Sequence, residues 1–324
     1  MLCSYLLFCS TFIFDQQGLT FRQQAPHAQT DQAQDQADVL QPSPSWFDNW
    51  QQGLTNSMDY TVQQLDSFFA LEGSEAYQNA RAEGRIRLGW EPRSRDMSEV
   101  KLRFRIRVQL PSLKNRVDLL LSDNEEFADE DSLDAVRDQS LTRSDNATVA
   151  LRFKRREDSK LSFRVGAGRR DQLYTKTRYR DSLAINQAWS LLYDAEAYYY
   201  TRDHWGSELG GDIQYVTQSD NVFRFNNRFY FRDITNDWLW RHELQHLQVL
   251  TQESAAIYTL YTEGLSQPNW NLDKVYASFR WRTNPLREWL FFEVEPFVLW
   301  LRDESFEPSY GVALRVEAHY GKDS

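Results

Sequence analysis

Apolar and charged side chains alternate without interruption along residues 100–110, which read Val-Lys-Leu-Arg-Phe-Arg-Ile-Arg-Val-Gln-Leu. Successive side chains of an extended strand point to opposite faces, so this segment has one apolar face and one arginine-rich face. A helix would scatter the same charges around its circumference. The pattern returns at 221–232, where Phe alternates with Arg and Asn, and again at 274–282. The alternation therefore predicts an all-β chain.

From residue 80 onward the chain reads as a meander of about fourteen strands separated by short polar breaks, such as 156–159 and 217–220. Such breaks are typical of turns between antiparallel neighbours. The segment 173–187 is poorly patterned, which leaves twelve strands as the alternative. The predicted strands are 80–91, 98–110, 114–122, 145–156, 160–169, 173–181, 187–201, 205–217, 221–233, 236–250, 253–265, 271–283, 287–301 and 308–320.

The composition decides which face of these strands points inward. A soluble up-and-down barrel encloses its apolar face, but more than ten strands enclose a space too wide to fill with Phe and Trp. The chain has 20 Phe, 16 Tyr and 11 Trp, yet its mean hydropathy is −0.67. This combination favours a barrel whose aromatic side chains face lipid and whose lumen is polar. No apolar run in the sequence reaches the length of a membrane-spanning helix. We therefore predict an antiparallel up-and-down transmembrane β-barrel over residues 80–320.

The first 80 residues have a different composition and fall into three parts. The apolar run from Leu2 to Phe14 is typical of a secretory signal and predicts a signal peptide over residues 1–28. Residues 29–45 are rich in Gln, Ala, Asp and Pro, which predicts a disordered linker. Residues 46–72 are predicted to form an amphipathic helix, either periplasmic or plugging the barrel. Its apolar positions are Trp46, Trp50, Leu54, Met58, Val62, Leu65 and Phe69.

Charge and cysteine content exclude several classes of function. The formal net charge of −10 argues against nucleic-acid binding, which requires a basic surface. Eight carboxylates lie within residues 123–138, which predicts a solvated loop; divalent-cation binding is the alternative, although the segment does not match an EF-hand. Both cysteines, Cys3 and Cys9, fall inside the predicted signal peptide. The mature chain is therefore predicted to have no disulfide and no thiolate metal site. The sequence predicts no cofactor.

The end of the strand-rich region carries a targeting pattern. It consists of a polar residue, a glycine two positions later, two spaced apolar residues and a late aromatic residue: Ser309, Gly311, Leu314, Val316 and Tyr320. This pattern resembles the terminal assembly signal of Gram-negative outer-membrane barrel proteins, although the chain continues to residue 324 instead of ending on Phe or Trp. The resemblance is to the general class and covers residues 80–320. It implies a bacterial outer-membrane location, with membrane lipid, lipopolysaccharide and the barrel assembly machinery as partners.

A competing motif lies at 242–246, where His-Glu-Leu-Gln-His matches the H-E-x-x-H pattern of zinc peptidases. The zinc chemistry needs a helix, in which histidines four residues apart lie about 6 Å apart on one face. In a strand the same spacing is roughly 13 Å, which is too far for His242 and His246 to share one ion. The flanking residues indicate a hairpin arm, so the sequence favours neither a metal site nor catalytic residues. A zinc peptidase or another outer-membrane hydrolase stays as an alternative.

The charges predicted to face the lumen are the remaining candidates for function. A basic sector on the early strands, with both signs of charge on the later ones, would act on small charged or polar solutes and favour anions. The sequence therefore predicts a porin-like passive channel, with a structural or adhesive barrel of plugged lumen as the alternative. The predicted lumen-lining residues are Arg85, Arg87, Arg103, Arg105, Arg107, Arg228, Arg280, Glu293 and Glu295.

Overall fold

The computed structural model describes residues 81–97, 100–109, 116–122, 148–156, 158–168 and 172–321. In this part of the chain no helix is long and apolar enough to cross a membrane. The predicted signal peptide (1–28), linker (29–45), helix (46–72) and acidic loop (123–138) lie outside the described residues.

Fourteen strands form one closed antiparallel barrel. They are β1 (Arg81–Trp90), β2 (Lys101–Gln109), β3 (Val117–Ser122), β4 (Thr148–Lys154), β5 (Leu161–Gly168), β6 (Gln172–Ala184), β7 (Trp189–Tyr200), β8 (His204–Val216), β9 (Val222–Arg232), β10 (Asp237–Thr251), β11 (Ser254–Leu265), β12 (Asn271–Arg287), β13 (Leu290–Leu301) and β14 (Ser309–Tyr320). Each strand pairs with its neighbours in the chain, and β14 closes on β1. The predicted fourteen-strand barrel is confirmed. Twelve strands is wrong, because the poorly patterned segment contains β6, which pairs regularly with β7.

The two ends of the barrel differ in their connections. Because the number of strands is even, β1 begins at the same end at which β14 finishes. Turns at this end are short, with two residues at 252–253 and at 288–289. The opposite end carries longer connections, including 91–100, 123–147 and 302–308. Short turns at the periplasmic end and longer loops outside are typical of outer-membrane barrels. We name these the short-turn end and the loop end.

The outer face of the barrel is apolar and exposed. In β5, Leu161, Phe163 and Val165 are exposed on this face, whereas Ser162 and Arg164 point to the other side. Aromatic rings form a continuous chain across the outer face of six neighbouring strands, with ring centroids 4.3 to 6.5 Å apart. Such girdles mark a membrane interface. The rings of this girdle are Trp189, Tyr215, Phe223, His246, Tyr258 and Phe279.

The terminal pattern of the sequence lies in the strand that closes the barrel. Ser309 is fully buried, whereas Leu314 and Val316 are exposed on the outer face. Gly311 lies opposite Phe297, and a Cβ atom at this glycine would overlap the phenylalanine ring. Tyr320 lies opposite Gly84 in β1. The small residue at 311 therefore has a packing role in the barrel itself.

Candidate functional site: the charged lumen

The structure places all nine predicted lumen-lining residues on the inward face of the barrel wall. In β2, Arg103, Arg105 and Arg107 alternate with Leu102, Phe104 and Ile106, and Leu102 is exposed on the outer face. The register sets Arg105 directly opposite Arg85 and Arg103 directly opposite Arg87. The inward face is therefore strongly charged, as the alternation in the sequence indicates.

Glu317 of β14 joins strands on both sides of the closing seam, which is the ladder between β14 and β1. Its carboxylate is fully buried and accepts hydrogen bonds from Arg87 Nε at 2.6 Å and from Arg282 Nη2 at 3.0 Å. Arg85 Nη1 lies 3.7 Å away, and His319 Nε2 is 2.7 Å from the second oxygen. A buried carboxylate must be compensated by cations and donors to stay ionised. These contacts tie β1 and β12 to β14 through one side chain.

A second set of buried charged side chains, centred on β13, continues this network. Glu295 accepts hydrogen bonds from Arg280 Nε at 2.9 Å and from Ser278 Oγ at 2.7 Å, and it also pairs with Arg315. Arg315 in turn donates two hydrogen bonds, of 2.9 and 2.6 Å, to Glu91 Oε1. Glu293 pairs with Arg282 at 2.7 Å. The network joins β12, β13 and β14 to the start of the 91–100 loop.

Acidic residues of β7 and β8 lie beside the cations of β6 and β9. Arg178 donates two hydrogen bonds to Asp194 Oδ2, at 3.1 and 2.5 Å, and Arg228 Nη2 reaches Asp194 Oδ1 at 3.2 Å. Arg228 also pairs with Glu208. Charges of opposite sign are thus neighbours in this part of the wall, rather than facing each other across the lumen.

The inward positions of β1–β6 carry more cations than carboxylates, and several of these cations pair with carboxylates of the adjoining strands β7 and β14. Asp118 accepts two hydrogen bonds from Arg152, at 2.8 and 2.6 Å, and lies 3.5 Å from Arg107. Glu83 pairs with Arg107 at 3.0 Å. Among the described residues, these two carboxylates and twelve cationic side chains occupy the inward positions of β1–β6. The cationic residues are Arg85, Arg87, Lys101, Arg103, Arg105, Arg107, Arg152, Lys154, Arg164, Lys176, Arg178 and Arg180.

An apolar surface on the inward face was not predicted. Its six buried residues, which we name the luminal patch, come from β11 to β14. The sequence signal is the run Phe-Val-Leu-Trp-Leu at 297–301, which makes both faces of β13 apolar at its loop end. Tyr261 and Tyr276 stack within the patch, with ring centroids 4.9 Å apart. The luminal patch is Tyr261, Tyr276, Phe297, Leu299, Leu301 and Ala313.

Burial of the inward face is uneven around the barrel. The largest fully buried side chains of the described residues all face inward from β10–β14: Leu239, Glu263, Tyr276, Glu293, Glu295, Leu299, Ser309 and Glu317. Arg103, Arg107, Arg152 and Arg164 on β2–β5 are only half-buried. Solvent therefore reaches these four arginines more readily than the fully buried residues of β10–β14.

The residues of the zinc-peptidase motif lie in β10, as the strand interpretation predicts. His242 and His246 both sit on the outer face: His246 stacks on Phe223 with centroids 4.3 Å apart, and His242 Nδ1 lies 2.6 Å from Asn227 Oδ1. The glutamate of the motif, Glu243, points to the opposite side, where it accepts a hydrogen bond from Gln245. Among the described residues no three potential ligands lie close enough to hold a metal ion.

Ion pairs also join two loops at the rim of the loop end. Arg93 pairs with Glu304 at 2.6 Å and Arg95 with Glu307 at 2.5 Å. These contacts connect the 91–100 loop to the 302–308 loop. The rim beside the closing seam is therefore held together by charge.

The known proteins to which this chain is similar are all solved structures. No protein-family model matches the chain, and no curated protein matches it. Solved structures similar to it include the outer membrane channel DcaP of Acinetobacter baumannii, at 7% identity and a TM-score of 0.45, covering 74% of this chain and 97% of DcaP. Pseudomonas putida OprB at low pH matches at 10% identity and a TM-score of 0.43, covering 74% and 92% of the two chains. The KdgM porin in complex with disordered oligogalacturonate matches at 8% identity and a TM-score of 0.36, covering 73% and 98%. These likenesses concern the fold alone.

The architecture of the wall identifies the class of protein. A closed barrel with an even number of strands, short turns at one end, an exposed apolar outer face and a charged interior is typical of outer-membrane barrels and of no soluble barrel of this size. The predicted class is therefore confirmed: the chain is an antiparallel transmembrane β-barrel of the bacterial outer-membrane class.

Proposed function

We propose that this barrel is a passive channel in the outer membrane that favours small anionic solutes over cations. The observation that carries the proposal is the charge of the inward face of β1–β6, where twelve cationic side chains accompany two carboxylates. Rings and walls of one sign of charge select permeant ions in pores. A wall with this excess of positive charge raises the local concentration of anions.

The cross-strand arrangement of the arginines supports this proposal. Arg85 faces Arg105 and Arg87 faces Arg103 in direct register. Like charges at directly opposite positions destabilise a sheet, by roughly 0.2 to 1 kcal/mol for each pair. Part of this cost is offset by Glu317, whose carboxylate pairs with Arg85 and Arg87. Arginine also suits the task, because its planar guanidinium binds carboxylates and phosphates through two parallel hydrogen bonds.

The width of the barrel is compatible with passage. Eight-stranded barrels are filled by their own side chains, whereas sixteen-stranded porins enclose an aqueous channel. Fourteen strands lie between these cases. A structural barrel with a filled lumen is the second candidate, because the inward face of β10–β14 is almost completely buried. Membrane lipid, lipopolysaccharide and the assembly machinery are the partners expected for either function.

Ion selectivity in planar bilayers tests the proposal directly. The refolded full chain is placed under a gradient of KCl, and the reversal potential is read as the ratio of chloride to potassium permeability. We expect anion selectivity that falls in the double variant Arg103→Gln/Arg105→Gln. The matched control is Arg155→Gln/Arg156→Gln, which removes the same charge from the exposed turn between β4 and β5. Cation selectivity of the full chain, or equal effects of both double variants, would contradict the proposal.

A further inference from the structure

Two polar side chains, Asn227 on β9 and His242 on β10, lie on the lipid-facing wall between two aromatic levels. Toward the loop end, Trp238 packs on Phe231 with ring centroids 5.3 Å apart. Toward the short-turn end lies the girdle described above. Along β9 and β10 the two polar residues lie between these levels, within the apolar band that meets the membrane. The pair therefore faces hydrocarbon, in which no water is present to form hydrogen bonds.

Asn227 and His242 are direct neighbours across the ladder between β9 and β10, and they hydrogen-bond to each other. His242 Nδ1 lies 2.6 Å from Asn227 Oδ1. Because the amide oxygen accepts, the imidazole proton is on Nδ1, and Nε2 is an acceptor in the neutral ring. Among the described residues, Asn227 Nδ2 and His242 Nε2 have no further partner. Turning the amide over would exchange these roles, so in either arrangement one donor and one acceptor are left unused.

The surroundings of this pair leave it accessible to a second molecule. On β8, Gly211 lies directly opposite Asn227, and a Cβ atom at this glycine would meet nothing within 4 Å. Aromatic rings lie on the other sides of the pair, with centroids 5.1 to 6.4 Å from that of the His242 ring. A contact centre with near-neutral apolar groups around it is typical of protein–protein interfaces. The rings are those of Phe225, Phe229 and Trp240.

The pair is complementary to itself about a two-fold axis. If such an axis runs along the membrane normal between β9 and β10, Asn227 of one copy faces His242 of the other copy, and the reverse. The unused donor of each copy then meets the unused acceptor of the other, which gives two hydrogen bonds across one interface. The use of one surface by both copies is the rule for two-fold dimers. Strands tilted by about 40° cross those of the facing copy, so the side chains nearest to the axis dominate the contact.

We propose that this chain forms a homodimer in the membrane through the outer face of β8–β11, with Asn227 and His242 at the centre of the contact. The surface supplies its own complement, which favours a second copy over a different protein. Acyl chains offer no hydrogen-bonding groups, which favours a protein partner over lipid, and polar side chains join membrane-spanning segments by such bonds. The interface is on the outer wall, so the inference does not depend on what the lumen conducts.

Cysteine cross-linking tests which wall meets the second copy. In the full chain with Cys3→Ser and Cys9→Ser, Leu244→Cys and Phe225→Cys are introduced separately, two residues from the polar pair, at outer positions that are 48% and 42% exposed. The control is Leu151→Cys on β4, an outer position that is 40% exposed. At a low ratio of protein to lipid, oxidation should give disulfide-linked dimers at least about fivefold faster for a cysteine on β9 or β10 than for the control, since docking raises the effective concentration of the thiols. Equal rates, or a faster reaction of the β4 cysteine, would overturn the inference.

The dimerisation equilibrium tests the part played by the polar pair. Energy transfer between dye-labelled full chains in lipid vesicles, over a range of protein-to-lipid ratios, gives the dissociation constant. We expect Asn227→Leu/His242→Leu to weaken dimerisation at least about tenfold, because two hydrogen bonds in an apolar medium are lost. The matched control is Gln248→Leu, which removes another half-buried polar side chain from the outer face of β10 and should change the constant little.

Heat-modifiable migration on gels shows that each variant is folded. His242→Phe, which keeps an aromatic ring in place, replaces the double variant if the latter does not fold. Chains that stay monomeric at every protein-to-lipid ratio would refute the homodimer. A dimer that is weakened equally by Gln248→Leu, or not weakened by the loss of the pair, would refute the assigned surface.

Discussion

Replacing Glu317 by Gln should destabilise the barrel far more than a single charge change at its surface. The carboxylate is fully buried and lies within 3.0 Å of nitrogen atoms of Arg87, Arg282 and His319. Gln keeps the shape but leaves Arg87 and Arg282 with one negative charge fewer in a poorly solvated site. Breaking a buried ion pair on one side costs about 3–5 kcal/mol. The unfolding equilibrium constant should therefore rise roughly a hundredfold to several thousandfold.

Urea unfolding in lipid vesicles, followed by tryptophan fluorescence, measures this difference. The matched control is Glu307→Gln, because Glu307 pairs with Arg95 at 2.5 Å but its side chain is 68% exposed. Exposed pairs contribute about 0.2–1 kcal/mol, so this control should shift the midpoint little. Adding Arg87→Gln to Glu317→Gln should cost less than the sum of the single changes, because the two groups are in direct contact. Equal destabilisation by Glu317→Gln and Glu307→Gln would refute the reasoning.

Further predictions concern packing, the histidine pair and the lipid face. Gly311→Val should destabilise the barrel by about 1–3 kcal/mol, because the new side chain overlaps Phe297. The measurement is the loss of the compact, heat-modifiable form on gels. If the overlap is the cause, adding Phe297→Ala should restore that form. His242→Ala and His246→Ala should leave zinc content unchanged, since both rings lie on the outer face about 13 Å apart along the strand; stoichiometric zinc lost in either variant, by elemental analysis, would revive the peptidase interpretation. Leu260→Arg, at an outer position that is 48% exposed, should cost about 2–4 kcal/mol in vesicles, and an unchanged urea midpoint would argue that this face does not meet lipid.

Strands and their inward faces could be predicted from the sequence because their period is local. An alternation with a two-residue period can be recognised wherever one face of a strand is charged, as in Arg103 to Arg107. The number of strands, and which of their faces points into the lumen, could therefore be predicted from short stretches of sequence. The weakest prediction concerned β6, where Thr175 and Thr177 occupy outer positions that are apolar in other strands. The ladder with β7 forms there regardless, because closure requires every strand to be paired.

Partners of the buried charges could not be predicted, because they depend on register and stagger around the whole barrel. Glu317 and Arg87 are 230 positions apart in the sequence and meet only when β14 closes on β1. The stacking of His246 between Phe223 and Tyr258 likewise needs the register of three strands. The luminal patch could have been predicted from the sequence. The uninterrupted apolar run at 297–301 places apolar side chains on both faces of the strand, so one of these faces must point into the lumen.

Unequal strand lengths determine where the ring of strands is weakest. Among the described residues, the closing strands β1 and β14 pair over seven positions, whereas β10 and β11 pair over twelve. At about 0.5–1.5 kcal/mol for each net hydrogen bond, a difference of this size amounts to several kcal/mol between the two sides of the barrel. A closed ring loses its closure at its shortest ladder. The seam between β1 and β14, which completes the ring of strands, is therefore a weaker joint than the ladder between β10 and β11.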